Sequence, residues 1–206
     1  MAYLGTQPND VKKNTGLYTP SEILQLTKDG SWGGSLELIE TKSISGVSSA
    51  IFTSIKENVY DVHFLEIIDF QPATDGTDCR IRFYESGVEE SASVYQFAFQ
   101  FGMASGTFQE VNDTSESYLR ATFNTGNATN EKAHSYNYFY NLGNSTKYSF
   151  QNMQTVLTNS NTEFNMAFGG GVLPQASTVN QIKLFNGSGN FSCTAKLYGV
   201  KQIWVT

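Results

Sequence analysis

Tyr95-Gln96-Phe97-Ala98-Phe99-Gln100-Phe101 places four aromatic rings at every second position, with amide or methyl side chains between them. In an extended strand, alternate side chains point to opposite faces, so all four rings share one face. A helix would scatter them around its axis. The stretch is therefore a strand with one heavily aromatic face. Working outward from it in both directions, the same period of two recurs.

Toward the N-terminus, Cys79-Arg80-Ile81-Arg82-Phe83-Tyr84 alternates and stops at Glu85-Ser86-Gly87. Before it, Asp75-Gly76-Thr77-Asp78 reads as a turn. The segment 59–70 is predicted to set Tyr60, Val62, Phe64, Ile68 and Phe70 on one face. Ile51, Thr53 and Ile55 suggest a short strand, and Leu36 and Leu38 begin another. Toward the C-terminus, strands are expected over 118–123, 134–140, 148–152 and 163–168. The closing hairpin has Gln181-Ile182-Lys183-Leu184-Phe185 outbound, Asn186-Gly187-Ser188-Gly189-Asn190 at the bend, and 191–197 returning. Asn-Gly is expected to supply positive φ there. Residues 198–205 read as a final strand, with Gly199 a bulge.

Helix signals are confined to one place. Thr19 and Glu22 form a capping box around Pro20, which suits the first helical position, so one or two turns are expected. Residues 1–18 hold Gly, Asn and Pro without periodicity and read as an extended N-terminal arm. The predicted organisation is an arm over 1–18 and one domain over 19–206 with a short N-terminal helix. About ten short strands without a fixed repeat predict an all-β, two-sheet sandwich, wound as a jelly roll. The expected core includes Val62, Phe64, Phe83, Phe97, Phe99, Leu184 and Leu197.

Composition narrows function. The 206 residues carry a net charge of −6, and charged residues are only 16%. Clustered Lys and Arg, which nucleic-acid binding draws on, occur only at Lys12-Lys13, so no nucleic-acid partner is expected. The opening residues lack a signal-peptide pattern and no apolar run reaches a spanning length, so no membrane insertion is expected. Cys79 and Cys193 are expected to be buried free thiols. Five sequons, from Asn112, Asn127, Asn144, Asn186 and Asn190, reflect polar turns.

Reaction chemistry finds little support. His63 and His134 are the two histidines, and neither accompanies a nucleophile elbow. Asp61 and His63 are two apart and would share a strand face, yet two ligands do not make a metal site. Asp75 and Asp78 lie in a turn that could hold calcium, but Asx-turn chemistry explains them without an ion. Glu85, Glu89 and Glu90 read as a charged loop rather than a glycosidase pair. Gly169-Gly170-Gly171 precedes no helix and so is not a phosphate loop. The chain is expected to be no enzyme and to need no cofactor or metal. The contact candidates are Tyr136, Tyr138 and Tyr140, three tyrosines on one strand face that suit a core face with hydroxyls reaching the rim, a subunit interface or a glycan platform.

Two stretches carry a resemblance. Met1-Ala2-Tyr3-Leu4-Gly5-Thr6-Gln7-Pro8 is one. The other joins Tyr60-Asp61-Val62-His63-Phe64 to Ile182-Lys183-Leu184-Phe185, Gly187-Ser188-Gly189-Asn190-Phe191 and Ala195-Lys196-Leu197-Tyr198-Gly199-Val200-Lys201. Both resemble virion structural proteins, fibre-related or decoration, of tailed phages of marine bacteria, especially the T7-like podovirus type. The resemblance implies a β-sandwich virion component, a homotrimer, displayed on the particle surface as a head decoration or tail-fibre component. Its partners would be itself, capsid or tail proteins and, in the alternative reading, a host surface glycan. It would be assembled in the host bacterial cytoplasm. It carries over no active-site residue.

Overall fold

The computed structural model describes residues 19–28 and 35–201. The chain divides into two units, Met1–Ser35 and Leu36–Thr206. In the first, helix α1 (Pro20–Lys28) begins where the capping box placed it. The Thr19 backbone N–H donates to Glu22 Oε2 at 2.6 Å, and the Glu22 N–H donates to Thr19 Oγ1 at 3.3 Å. The backbone bond from Thr19 holds the Glu22 carboxyl below its ordinary range. The arm over 1–18 and the strand expected beyond residue 201 lie outside the described residues.

The second unit is an antiparallel β-sandwich. Its strands are β1 (Leu36–Val47), β2 (Ser49–Phe52), β3 (Val62–Pro72), β4 (Cys79–Glu85), β5 (Val88–Glu89), β6 (Tyr95–Met103) and β7 (Phe108–Glu116). They continue as β8 (Leu119–Arg120), β9 (Ala133–Tyr140), β10 (Ser149–Thr158), β11 (Phe164–Leu173), β12 (Val179–Asn186) and β13 (Phe191–Val200). The larger sheet has the order β1-β13-β3-β9-β10-β11-β6-β7. The smaller has β2-β12-β4-β5, with β8 added on β4. The last hairpin straddles the sandwich, because β13 lies between β1 and β3 in one sheet while β12 lies between β2 and β4 in the other.

The core fills the space between the sheets. Tyr95, Phe97, Phe99 and Phe101 all point into it, as their spacing demands. Phe83 of β4 meets Phe139 of β9 edge-on, with centroids 5.6 Å apart, which ties one sheet to the other. Phe83, Leu184 and Leu197 are fully buried. Cys79 and Cys193 are buried and free, and burial pushes the Cys193 thiol up to about 12.

Several local expectations need correction. Val62 and Phe64 do not line the core: β3 buries His63, Leu65 and Ile67 instead. Phe70 does enter the core, because Asp69, at φ 53°, interrupts the alternation and the register with β9 and β13 shifts there. In β2, Phe52 turns inward, while Ile55 is buried beyond the strand's end. Of the 118–123 segment only Leu119–Arg120 is a strand, yet Tyr118, Ala121 and Phe123 are buried in irregular backbone. Gly199 is no bulge. It is paired to Glu37 and His63, and a Cβ there would lie 2.2 Å from the Tyr60 ring. In the closing hairpin the positive φ falls on Gly189, not on the Asn-Gly pair.

Candidate functional site

The two outer faces of the sandwich differ in kind. On the smaller sheet, β4, β8 and β12 turn Arg80, Arg82, Arg120, Lys183 and Phe185 outward. The first three are all the arginines of the chain. Asp78, which is buried, accepts from Arg80 Nε at 2.8 Å and from Arg120 Nη1 at 2.9 Å. Arg80 lies over the Tyr118 ring at 4.0 Å and Arg82 over Phe185 at 4.7 Å. Glu89 accepts from Arg82 at 2.9 Å and from Lys183 at 2.8 Å. Partial burial opposes ionisation of Glu89, but these cations outweigh it and hold the carboxyl below its ordinary range. This face satisfies its own charges.

The larger sheet does the reverse across β9 and β10. β9 buries Ser135 and Asn137 and turns out His134, Tyr136, Tyr138 and Tyr140. β10 buries Ser149, Gln151 and Thr155 and turns out Phe150 and Val156. Ala133, Phe139, Met153 and Leu157 are buried as well and Asn152 and Gln154 also face out, so these strands mix the usual pattern with polar side chains inside and aromatic rings outside. The inward amides are held by bonds: Gln151 Nε2 donates to Asn137 Oδ1 at 2.9 Å and to the Arg120 carbonyl at 2.8 Å, and Asn137 Nδ2 donates to Ser135 Oγ at 3.1 Å. Such bonds make burial of the amides tolerable. They do nothing for the rings left outside.

Those rings are not scattered. Cross-strand register aligns Leu38, Tyr198, Phe64, Tyr138, Asn152, Gly170, Ala98 and Asn112 in one row across all eight strands. Phe64 stands 4.9 Å from Tyr138, 5.7 Å from Tyr198 and 6.3 Å from Tyr136, centroid to centroid. Tyr136 donates its hydroxyl to Gln154 Oε1. A second row sets Tyr140 beside Phe150, Val172 and Gln96. Tyr136, Phe150 and Phe168 are 43%, 44% and 46% exposed, high for such rings. The three tyrosines expected from the sequence are thus brought together on one open face. Phe64, Tyr198, Phe150 and the small residues Gly170 and Ala98 join them, and these were not among the expected contacts.

The row changes character along its length. From β3 to β9 it is an aromatic platform. From β10 to β7 it sinks into a groove of about 470 Å³, floored by Gly170 and Ala98 and walled by Phe150, Val172 and Gln96. A second hollow of about 330 Å³ lies beside Phe64, Tyr136 and Val156.

The groups considered for chemistry are engaged elsewhere. His63 is buried, with Nε2 2.8 Å from the Ile55 carbonyl, and burial holds its imidazole below the ordinary range. Asp61 lies outside β3 and is exposed, so the two do not form a pair on one strand face. Asp75 Oδ1 accepts the Asn127 N–H at 3.2 Å, while Asp78 is held by its arginines, so the turn does not gather these two carboxylates. Glu85 accepts from the Ser177 hydroxyl, and Glu90 from the Ala92 N–H at 2.7 Å. Among the described residues no three His, Cys, Asp or Glu side chains gather as a metal centre. No protein-family model matches the chain, and no curated protein matches it.

Proposed function

We propose that this protein is a non-enzymatic structural component of a phage virion, displayed on the particle as a head decoration or tail-fibre element and making contact through the outer face of its larger sheet. The observation that carries this is the outward-facing aromatic side chains of β9 and β10, set against buried polar ones on the same strands. Burying Asn137 and Gln151 while exposing Tyr136 and Phe150 and leaving Tyr138 half-buried is unfavourable for an isolated domain and sensible for one that meets a partner on that face. The sequence resemblance to phage virion proteins supplies the setting. The winding is read as a jelly roll: β1, β13, β3 and β9 on one side and β2, β12, β4 and β5 on the other follow that order, with β6, β7, β10 and β11 widening the first sheet.

The test is composition of the particle. Virions purified on a density gradient from an infected lysate are digested, and the chain is quantified against the major capsid protein. A fixed stoichiometry supports the reading, many copies indicating the head and few the tail. Absence from gradient-purified particles, with the protein present in the lysate, overturns it. The alternative reading, a host-recognition module that binds glycan, is favoured by the groove beside the aromatic platform.

A further inference from the structure

We infer that the outer face of the larger sheet is a binding groove for an uncharged glycan chain laid across the strands. The inference rests on the contact-surface reading of that face and not on the virion setting. It starts from the row that runs from Tyr198 through Phe64 and Tyr138 to Asn152, Gly170, Ala98 and Asn112.

Sugar rings present two chemistries. Their C–H faces are apolar and flat, and their rims carry hydroxyls that both donate and accept. A site for them needs exposed aromatic faces alternating with neutral groups that also donate and accept. Exposed Tyr136 and Phe150, with half-buried Tyr138 and Phe64 beside them, supply the first, and Asn152, Gln96 and Asn112, whose amides do both, supply the second. Strands in a sheet lie about 4.8 Å apart, close to the length of one pyranose unit, so a chain crossing the strands meets one row position per sugar. The floor is low where the chain would pass, because β11 places Gly170 beside Ala98. The groove's volume falls in the range of small-ligand sites.

Charge decides against other occupants. The row itself bears no formal charge. Beside it Lys196 and Glu66 pair at 3.4 Å and cancel. Along β7, exposed Glu110 stands beside the row and Asp113 lines the groove, while Glu116 is taken up by the Tyr118 hydroxyl. An anionic chain, whether nucleic acid or uronic polysaccharide, meets repulsion there, whereas hydroxyls do not. The face is open and shallow with amides standing along it, so it suits an extended polar chain better than the apolar knobs of a folded protein.

The experiment is affinity electrophoresis of the intact chain in native gels containing dextran, mannan or xyloglucan, with alginate and heparin as anionic comparisons. Retardation by at least one neutral polysaccharide, unchanged by high salt, is expected. Ala98→Trp fills the groove from an exposed position, and Tyr138→Ala removes the platform. Each should weaken retardation by about tenfold or more. Val88→Ala, exposed on the smaller sheet, should leave it unchanged. Phe150→Ala carries the same test if the Ala98→Trp protein does not fold by circular dichroism. Three results overturn the proposal: no retardation by any neutral polysaccharide, retardation that survives the groove variants, or salt-sensitive binding of alginate or heparin alone. Light scattering adds a fourth. Self-association dispersed by a groove variant, without glycan retardation, makes a second copy the occupant. A negative result here leaves particle composition unaffected, so the two proposals fail separately.

Discussion

Individual residues show how burial sets energy in this sandwich. Phe83 is fully enclosed between the sheets, and replacing it with Ala should cost about 3–5 kcal/mol in urea unfolding. Phe64 sits on the outer face, where it touches Tyr138 and Tyr198, so Phe64→Ala should cost about 1 kcal/mol. Equal losses at the two sites would contradict the assignment of faces in β3. His63 adds a pH dependence. Burial lowers its folded-state pKa, so below about pH 6.5 the unfolded chain binds a proton that the folded chain refuses. Stability should therefore be full above that value and fall as pH drops through it toward the folded pKa. His63→Leu should flatten that part of the profile, measured as melting temperature against pH.

At the scale of elements, Gly199 tests how β13 meets the segment before β3. A Cβ at this position would sit 2.2 Å from Tyr60 Cδ2, so Gly199→Ala should lower the melting temperature sharply. Tyr60→Ala in the same chain should recover part of the loss, a non-additive result that a purely backbone effect would not produce. Elements also show what was legible beforehand. β6 was readable with its facing because aromatic and small polar residues separate cleanly by parity. β3 was readable as a strand but with its faces exchanged, since Val62, Phe64 and Ile68 compete with Leu65 and Ile67 on equal terms. The switch at Asp69 has no glycine to announce it. β7 escaped notice because its sequence, rich in Glu, Asp and Asn, covers an edge and buries little. Tyr136, Tyr138 and Tyr140 were identifiable as one face by spacing alone. Their neighbours Phe64, Tyr198, Asn152 and Gly170 come from other strands, and cross-strand register is not written in local pattern.

For the whole molecule, the open question is assembly. A sandwich edge used repeatedly around a symmetry axis closes an oligomer without free ends and leaves the outer face of the larger sheet open. A homotrimer is the expected state, and light scattering of the purified chain should give three times the monomer mass. The trimer should persist when residues 1–18 are deleted, because the edge expected to form it belongs to the sandwich. A monomer at high micromolar concentration would remove oligomerisation and favour a monomeric binding module. The straddling hairpin has a further consequence for how the protein is made. While a ribosome is still translating residues 179–200, β1 and β3 have no strand to lie between them, and β2 and β4 have none either. The nascent chain must therefore wait with both half-built sheets unjoined, their aromatic inner faces within reach of chaperones, and snap shut only after that hairpin clears the exit tunnel.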